Sequence, residues 1–390
     1  MKRFLFFLLA LVLVFSYCSV GCFASDDGED VSASPTAGTM DLDARGAILI
    51  EASTGTVLYE QNPDEPFPPA SVTKVMTLLL VMESVDAGKI KMTDPVTVSE
   101  YAASMGGSQV FLSPGETLSV EDMIKCAVIS SANDAAVALA EFVSGSEEAF
   151  VAEMNRRAAE LGMQNAHFEN VTGLDDTTTD HRCSARDIAL MSRALISHKE
   201  ILKYSSTWMD SIRGGEFTLT NTNRLVRFYR GALGLKTGST AKAKFCLSAV
   251  AERDGMTLIA VVMGSPSRDV RNEETKRLLD YGFANYAVFS SEATELDPVR
   301  VPGGTSDYCR VGYDGISCVV SRGEKNKIER EIELPESLSA PIDAGEVLGR
   351  AVFRSGETVV GEVPIKALEP VGKITFPALL AKLFHALVLG

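Results

Sequence analysis

The spacing of apolar residues changes along the chain, and these changes divide it into regions. Residues 75–82 read VMTLLLVM without a breaker, which predicts a helix buried on all sides. From residue 71 to about residue 197 the apolar positions recur mainly at helical spacing, and alternating runs typical of strands return between residues 213 and 263. The pattern predicts an α+β arrangement in which an antiparallel sheet carries a helical subdomain.

Two further elements complete this first region, which we place at residues 41–290. Residues 45–50 and 56–60 flank a Ser-Thr-Gly turn and predict an N-terminal hairpin. A helix predicted at residues 272–286 closes the unit.

Beyond residue 291 the pattern becomes that of a small all-β domain, which we place at residues 291–371. Short alternating runs at residues 347–353 and 358–363 are joined by a Ser-Gly-Glu turn. No grouped residues suited to catalysis are visible in this region.

The N-terminal end predicts export to the extracytoplasmic face of the cell membrane or the cell wall. A basic start, MKR, precedes the apolar residues 4–15, a run too short to span a membrane as a mature helix. Residues 1–24 therefore predict a secretory signal peptide, and the acidic, Ser-rich residues 25–40 predict a disordered linker. Lipidation at Cys22 is the alternative that the sequence leaves open.

The C-terminal residues 372–390 predict a contact with the membrane surface. Residues 376–390 are apolar except for Lys382 and His385, which lie three positions apart on one helical face. Because the segment is too short to span a bilayer, we expect an amphipathic helix that lies in the membrane interface. A terminal helix packed against the β domain is the alternative.

Composition excludes several classes of function. A chain of 390 residues, of which 46% are hydrophobic, has enough material for two or more domains with real cores. The net charge of −15 and the lack of any Lys/Arg stripe argue against nucleic acid as a partner. The four histidines have no metal-site spacing and no glycine-rich phosphate loop appears, so neither a metal nor a cofactor is expected.

The seven cysteines do not form a disulfide framework. Cys126, Cys183 and Cys246 are scattered through the first region, and we expect each to be a small buried residue. Cys309 and Cys318 are the only plausible pair, and the sequence leaves a bridge between them open.

The first chemically informative string is Ser-x-x-Lys, formed by Ser71 and Lys74 at the start of the predicted buried helix. A serine hydroxyl becomes a good nucleophile only when a base takes its proton, and residues three apart on a helix share a face. A desolvated lysine near another cation, which we expect to be Lys236, can be neutral and act as that base. A serine that only caps an amphipathic helix is the alternative.

The second string contains Ser131 and Asn133, between helical patterns at residues 120–128 and 134–141. A loop held between two helices can present a hydroxyl for proton relay and an amide that bonds a peptide group. Simple capping of the second helix is the alternative, and both readings can hold at once.

The third string is Lys236, Thr237 and Gly238, predicted to precede a pair of strands at residues 245–251 and 257–263. A lysine and a threonine hydroxyl suit a carboxylate, and a glycine lets backbone approach a ligand closely. A solvated lysine at a strand edge is the alternative.

With these three strings in this order, the chain resembles the low-molecular-mass penicillin-binding proteins that are D-alanyl-D-alanine carboxypeptidases, peptidase family S11. The wording around the strings is similar to that of the family: residues 69–77 read PASVTKVMT, residues 131–135 read SANDA and residues 234–243 read GLKTGSTAKA. The resemblance covers roughly residues 41–286 and, more loosely, the segment after it.

The resemblance implies a β-lactamase/transpeptidase-like catalytic domain in which Ser71 is the acylated nucleophile, Lys74 its base, and Ser131 the group that passes a proton to the leaving D-alanine. The backbone N–H groups of Ser71 and Ser239 are then the oxyanion hole. Some family members have histidine at the position of Ser239, a difference that we expect to change substrate preference more than mechanism. The substrate-binding residues implied are Asn133 for the substrate amide, Lys236, Thr237 and Gly238 for the terminal carboxylate and its strand, Ser239, and Arg271 as a second carboxylate anchor.

The implied substrate is the pentapeptide of peptidoglycan, and the implied inhibitors are β-lactams, which acylate Ser71. A β-lactamase is one rival reading, but it needs a positioned glutamate and water for fast deacylation, and no glutamate stands in a suitable loop context. A high-mass transpeptidase would carry a large domain ahead of the serine string. A non-catalytic module that binds the wall or senses β-lactams is the rival from another class, and the intact Ser71, Lys74 and Lys236 argue against it.

Overall fold

The computed structural model describes residues 40–176 and 178–389. The predicted signal peptide at residues 1–24, the alternative at Cys22 and the predicted linker, apart from its last residue, lie outside the described residues. The described chain is a mixed α+β protein, as the spacing of its apolar residues predicts.

Strands and helices alternate along the chain until the C-terminal region, where strands dominate. The strands are β1 (Gly46–Glu51), β2 (Val57–Gln61), β3 (Pro95–Thr97), β4 (Thr117–Ser119), β5 (Met209–Ile212), β6 (Phe217–Thr220), β7 (Ala232–Thr240), β8 (Lys244–Arg253), β9 (Met256–Ser265), β10 (Tyr286–Ser291), β11 (Thr294–Arg300), β12 (Tyr308–Tyr313), β13 (Ile316–Ser321), β14 (Ile328–Glu333), β15 (Val347–Ser355) and β16 (Thr358–Ala367). The helices are α1 (Lys74–Asp86), α2 (Glu100–Ala103), α3 (Val120–Ile129), α4 (Asn133–Ser144), α5 (Glu147–Glu160), α6 (Ala185–Ser197), α7 (Glu200–Ser205), α8 (Leu225–Phe228), α9 (Arg268–Asn285) and α10 (Phe376–Leu389).

The first region is built on a five-stranded antiparallel sheet with the order β2-β1-β9-β8-β7. Every residue of β1 is buried, because apolar cores cover both faces of the sheet. Ile48 and Ile50 belong to the core shared with the helical subdomain, and Ala47 and Leu49 to the core shared with α9. This alternation is the period of two that a strand buried on both faces requires.

Helix α1 lies at the centre of the helical subdomain. Its residues 74–82 are all buried, and it packs against α4 and α6. The prediction of a fully buried helix from the unbroken apolar run is confirmed. The burial of this helix fixes the position of the residues at its N-terminus.

Strand β7 carries the third string. Lys236, Thr237 and Gly238 precede the strand pair as predicted, and they lie inside β7, at the edge of the sheet, with Lys236 opposite Ser248 of β8. The predicted pair is confirmed as β8 and β9, and β7 adds a third strand whose apolar alternation is interrupted by two glycines and a lysine. The string therefore lies on a rigid element of the sheet.

The C-terminal region forms a second antiparallel sheet with the order β11-β12-β16-β15-β14, beside a ribbon of β10 and β13. It has its own small apolar core, which includes Val311, Phe353 and Ile365. The alternating runs and their Ser-Gly-Glu turn form the hairpin β15–β16. The domain boundaries at residues 290 and 371 stay predictions.

The large apolar side chains that the structure describes on helix α10 are exposed, and both the predicted membrane contact and the alternative of a helix packed on the β domain stay predictions. An ion pair between Lys382 and Asp307 connects the helix to the sheet region. Of the helices that the structure describes, none is long and apolar enough to cross a membrane. The exposed side chains are Phe376 (77% exposed), Leu380 (59%), Phe384 (68%) and Leu387 (84%).

The described cysteines are free thiols. Cys126, Cys183 and Cys246 are buried, as expected. Cys309 and Cys318, the pair that the sequence left open, are not bridged in the structure.

Candidate active site

The candidate nucleophile lies in a single 3-10 turn, Ala70–Thr73, that leads directly into α1. In such a turn, side chains three positions apart lie one above the other. The Nζ atom of Lys74, the first residue of α1, is therefore 3.2 Å from Oγ of Ser71. This distance allows the amine to take the hydroxyl proton.

The polar partners of Lys74 among the described residues are neutral. Besides Ser71, Nζ lies 2.5 Å from Oδ1 of Asn133 and 3.0 Å from the backbone carbonyl oxygen of Thr172. A neutral amine has two N–H donors and one lone pair. Two carbonyl-type acceptors and one hydroxyl donor match that set, so the site suits an uncharged lysine.

Burial and neighbouring cations shift both buried lysines toward their neutral forms. Burial lowers the pKa of Lys74 well below its ordinary value, and the charge of Lys236 lowers it further, against an opposing effect of Asp134. Burial, with a smaller effect from Arg271, lowers the pKa of Lys236 to about 7. The expectation that Lys236 is the cation near Lys74 agrees with this arrangement.

The Thr172 carbonyl is presented by a loop at residues 169–181, which we call the cover loop. The side chain of Asn170 holds this part of the loop, since its Oδ1 accepts from the backbone N–H groups of Thr172 (3.2 Å) and Gly173 (2.7 Å). Gly173 has φ +80°, and a Cβ atom there would lie 1.8 Å from the carbonyl oxygen of Ala70. Glycine is required here because the cover loop contacts the 3-10 turn Ala70–Thr73, which we call the nucleophile turn.

His181 ties the cover loop to the start of α1. Its Nδ1 accepts from the backbone N–H of Glu169 (3.1 Å), and its Nε2 lies 2.8 Å from Oγ1 of Thr73. Since Nδ1 is the acceptor, Nε2 carries the proton and donates to the threonine. Burial lowers the pKa of His181 to about 4, so the ring is neutral at neutral pH.

Two carboxylates of the cover loop, those of Glu169 and Asp175, are held by threonine side chains. Glu169 accepts from the backbone N–H of Thr179 (2.8 Å) and from its hydroxyl (3.0 Å). Asp175 accepts from Oγ1 of Thr240 (2.5 Å). In the described part of this loop, no carboxylate hydrogen-bonds to Ser71.

Ser131 and Asn133 lie at the joint between α3 and α4, as the helical patterns predicted. Ser131 has φ +63° and is only 4% exposed. The Asn133 side chain spans the joint, because its Oδ1 contacts Lys74 and its Nδ2 donates to the carbonyl of Gly106 (2.7 Å). The joint is therefore fixed from two sides, and the serine hydroxyl is presented to the same space as Ser71.

Strand β7 forms the opposite wall of the site. A Cβ atom on Gly238 would lie 2.7 Å from the Pro69 carbonyl and 3.0 Å from the backbone nitrogen of Ser71, so glycine allows the strand to approach the nucleophile turn. Oγ1 of Thr237 donates to Oγ1 of Thr222 (2.7 Å). Lys236, although on an edge strand, is 1% exposed and its Nζ donates to the Thr237 carbonyl (2.9 Å).

Arg271 lies in the first turn of α9, which begins at Arg268 and thus four residues earlier than predicted because Ser267 caps it. The guanidinium of Arg271 donates to Oδ1 of Asn272 (3.0 Å), and burial lowers its pKa to about 10. A guanidinium with this pKa is charged at neutral pH. It lines the same cleft as Ser71.

These elements enclose a cleft of about 690 Å³. Six of the sequence-predicted residues line it, and Lys74, Asn133 and Lys236 are buried beneath that lining. In the described chain, no three His, Cys, Asp or Glu side chains are grouped as a metal site. The lining residues are Ser71, Ser108, Ser131, Trp208, Thr220, Asn221, Thr222, Arg224, Phe228, Thr237, Gly238, Ser239, Arg268 and Arg271.

Sequence reasoning missed the segment that follows β6. Asn221 and Asn223 are buried, and their Nδ2 atoms donate to backbone carbonyls, of Thr207 (2.8 Å) and of Gly234 (2.9 Å). The alternation of asparagines at residues 221 and 223 is the one signal that could have indicated a pinned segment. The exposed residues beside them that line the cleft are Thr222 and Arg224.

The sequence comparisons agree with this geometry. The profile of the peptidase S11 family, D-alanyl-D-alanine carboxypeptidase, matches residues 31–267, and the profile of the C-terminal domain of penicillin-binding protein 5 matches residues 293–373. The D-alanyl-D-alanine carboxypeptidase DacF of Bacillus subtilis is 42% identical over 384 residues, which cover 96% of each chain. DacA of Escherichia coli is 34% identical over 355 residues, 87% of this chain and 86% of that protein.

Solved structures show the same likeness in three dimensions. Penicillin-binding protein 5 from Haemophilus influenzae superimposes with a TM-score of 0.77 and 32% identity, over 86% of this chain and all (100%) of that chain. Penicillin-binding protein D2 from Listeria monocytogenes, in its ampicillin-bound form, matches 63% of this chain and 100% of its own, with a TM-score of 0.56 and 33% identity.

Proposed function

Because the chain belongs to the peptidase S11 family and is a D-Ala-D-Ala carboxypeptidase, we propose that Ser71 is its acylated nucleophile and Lys74 the general base. The observation that carries this proposal is the contact of 3.2 Å between Ser71 Oγ and a buried lysine whose described partners are neutral. An uncharged amine in that position has its lone pair available for the hydroxyl proton.

In the proposed acylation, Oγ of Ser71 attacks the carbonyl carbon of the penultimate D-alanine while its proton passes to Nζ of Lys74. The negative oxygen that forms accepts hydrogen bonds from the backbone N–H groups of Ser71 and Ser239. The peptide C–N bond then breaks, and the departing D-alanine receives a proton through Ser131. Water later cleaves the ester, which releases the shortened peptide and restores the serine.

Two cations and a hydroxyl support recognition of the terminal carboxylate. Arg271 lines the cleft with a charged guanidinium, and Thr237 presents its hydroxyl from β7. Lys236 adds positive potential from beneath, since its Nζ donates to the backbone carbonyl of Thr237, a residue that lines the cleft. The Asn133 side chain, fixed between Lys74 and Gly106, is placed to bond the substrate amide.

The β-lactamase alternative lacks support from the cover loop. Such enzymes need a carboxylate that activates water beside the acyl-enzyme, and the carboxylates of Glu169 and Asp175 are occupied by Thr179 and Thr240. We therefore expect β-lactams to form a long-lived ester on Ser71. Rapid turnover of penicillin would favour the alternative.

We further propose that the protein acts on peptidoglycan at the extracytoplasmic face of the membrane, with α10 lying in the membrane interface. The exposed Phe376, Leu380, Phe384 and Leu387 support this location for the helix. Mixing the protein with phosphatidylglycerol vesicles tests it: Phe384→Asp should reduce the bound fraction about tenfold, and Val347→Asp, on an exposed strand residue, should not. Equal binding of both variants and the parent would contradict the proposal.

The activity itself is tested by release of D-alanine from diacetyl-L-Lys-D-Ala-D-Ala. The full protein should release one D-alanine per peptide, and Ser71→Ala should release none above background. Ser290→Ala, at an exposed serine of β10, is the matched control and should retain the parent rate. Release by Ser71→Ala at the parent rate would remove Ser71 from the mechanism.

A further inference from the structure

One end of the cleft lies beside the groups that handle the departing amino acid. Thr222 accepts from Thr237 Oγ1 (2.7 Å), and its backbone N–H donates to the carbonyl of Ile129 (3.1 Å), two residues before Ser131. Under the proposed roles, Thr237 binds the terminal carboxylate and Ser131 protonates the departing amine. We call this part of the cleft the leaving-group end.

The residues that follow Thr222 extend the leaving-group end, and side-chain hydrogen bonds fix their backbone. The buried side chains of Asn221 and Asn223 bond backbone carbonyls on both sides of the segment. Arg224, the next residue, lines the cleft and extends from this fixed support. A pinned backbone of this kind reduces the entropy that an arginine loses when it binds a ligand.

An aromatic wall stands beside Arg224. The rings of Trp208 and Phe228 meet edge to face with centroids 6.3 Å apart, and both line the cleft. The Arg227 guanidinium lies 5.3 Å from the Trp208 ring centroid and 5.5 Å from that of Phe228. Phe228 is 68% exposed, so the wall offers apolar surface that no described residue covers.

The charge of this region is opposite to that of the chain. The protein carries a net charge of −15, yet the cleft is lined by Arg224, Arg268 and Arg271 and, among the described residues, by no aspartate or glutamate. Arg271 suffices for the terminal carboxylate in the proposed reaction. The remaining positive potential fits a second negative group on the substrate, outside the terminal carboxylate.

We propose that Arg224 and the wall of Trp208 and Phe228 bind the side chain of the departing D-amino acid, and that the enzyme prefers a side chain ending in a carboxylate over its uncharged isostere. The inference rests on the proposed function, because it uses the same nucleophile and the same leaving-group end. The chemistry is unchanged: the C–N bond to the departing amine breaks, the ester on Ser71 forms, the amine leaves with a proton passed by Ser131, and water hydrolyses the ester.

The test compares three peptides that differ only in the last residue, diacetyl-L-Lys-D-Ala followed by D-Ala, D-Glu or D-Gln. D-Glu and D-Gln have the same shape and differ in charge. We expect kcat/KM for D-Glu release to exceed that for D-Gln release about tenfold, the effect of one charge-assisted hydrogen bond of about 1.4 kcal/mol. Arg224→Gln should bring this ratio to about one.

The matched control is Arg230→Gln, since Arg230 is exposed on the same stretch of chain but does not line the cleft. This variant should keep the ratio of the parent. If the parent protein released D-Ala but had a D-Glu to D-Gln ratio of one or less, the inference would be overturned and the carboxypeptidase activity would not. A ratio that survived Arg224→Gln would remove Arg224 from the recognition of the side chain. Absence of D-Ala release from the first peptide would instead overturn the proposed function.

Discussion

The floor of the cleft and the C-terminal sheet use charged side chains in opposite ways. Beneath the cleft, Lys74 and Lys236 are buried, and among the described residues neither is paired with a carboxylate. On the C-terminal sheet, Arg350 is half exposed and pairs across strands with Glu333 (2.6 Å) and Glu362 (3.2 Å).

The difference shows where charge is used for chemistry. A buried cation without a counter-ion is destabilised in its charged form, so its pKa falls and it can exchange protons near neutral pH. An exposed ion pair keeps its ordinary protonation and contributes little to stability. The two buried lysines beneath the cleft therefore lower the stability of the fold, whereas the exposed ion pairs of the C-terminal sheet do not.

The largest expected effect comes from removing the base. Lys74→Ala should lower the rate of acylation by benzylpenicillin about a thousandfold, because Ser71 then has no group to take its proton. Stopped-flow or gel-based acylation rates measure this. Lys366→Ala, which breaks an exposed pair with Asp314 on the C-terminal sheet, is the control and should react like the parent. A loss below tenfold for Lys74→Ala would point to a different base.

Two glycines, one in each region, have nearly the same backbone conformation but different surroundings. Gly173 (φ +80°) is packed against Ala70, whereas Gly303 (φ +79°) has open space around the position of a Cβ atom. Gly173→Ala should cost about 3–5 kcal/mol, since overlap adds to the backbone strain, and Gly303→Ala about 1–2 kcal/mol. Urea unfolding followed by circular dichroism measures both. Equal costs would mean that the cover loop is free to move away from the nucleophile turn.

The buried lysines also predict a pH dependence of stability. The pKa of Lys236 is about 7 in the folded chain against an ordinary 10.5, and that of Lys74 is also lowered. At pH values between the folded and the ordinary pKa, the unfolded chain binds more protons than the folded chain. The free energy of unfolding should therefore rise with pH, by at most about 1.4 kcal/mol per pH unit for each lysine. Urea unfolding between pH 7 and 9, followed by the fluorescence of Trp208, measures the slope.

Variants beneath the cleft and on the C-terminal sheet show which lysines cause this pH dependence. Lys236→Met should reduce it, because the group that gains a proton on unfolding is gone, and Lys366→Met should leave it unchanged. A parent whose stability fell or stayed constant over this range would show that the buried lysines remain charged in the folded protein.

The smallest expected effect is on the C-terminal sheet. Arg350→Ala should reduce the free energy of unfolding by less than about 1 kcal/mol, because both of its ion pairs are exposed to solvent. The rate of acylation should not change. A loss of several kcal/mol would mean that this surface pair network stabilises the sheet far more than exposed pairs usually do.

Spacing along the chain predicts only the local parts of the site, whereas the distant residues Ser131, Lys236 and Arg271 are assigned to it through the resemblance to the family. Ser71 and Lys74 are three positions apart at the start of an unmistakable apolar run, so spacing alone brings them together. The Thr172 carbonyl is 98 positions from Lys74, and His181 is 108 from Thr73. Contacts between a side chain and distant backbone leave no periodic signal, and only the fold places them.

The strand that carries Lys236 shows the same limit for secondary structure. The long apolar run of α1 and the alternating runs of β15 and β16 were predicted because their patterns are regular. Strand β7 lies within the predicted strand region at residues 213–263, but the pattern gave it no bounds of its own, because glycines and a buried lysine stand where apolar residues usually alternate. The sequence pattern was weakest at the element whose residues serve the cleft most directly.

Intact-mass spectrometry after incubation with benzylpenicillin shows whether Ser71 is the nucleophile of a slowly deacylating carboxypeptidase. We expect a stable mass increase equal to one penicillin on the parent protein and no increase on Ser71→Ala. An adduct of equal size on Ser71→Ala would place the nucleophile elsewhere. Rapid hydrolysis of penicillin without a lasting adduct would show fast deacylation and favour a β-lactamase.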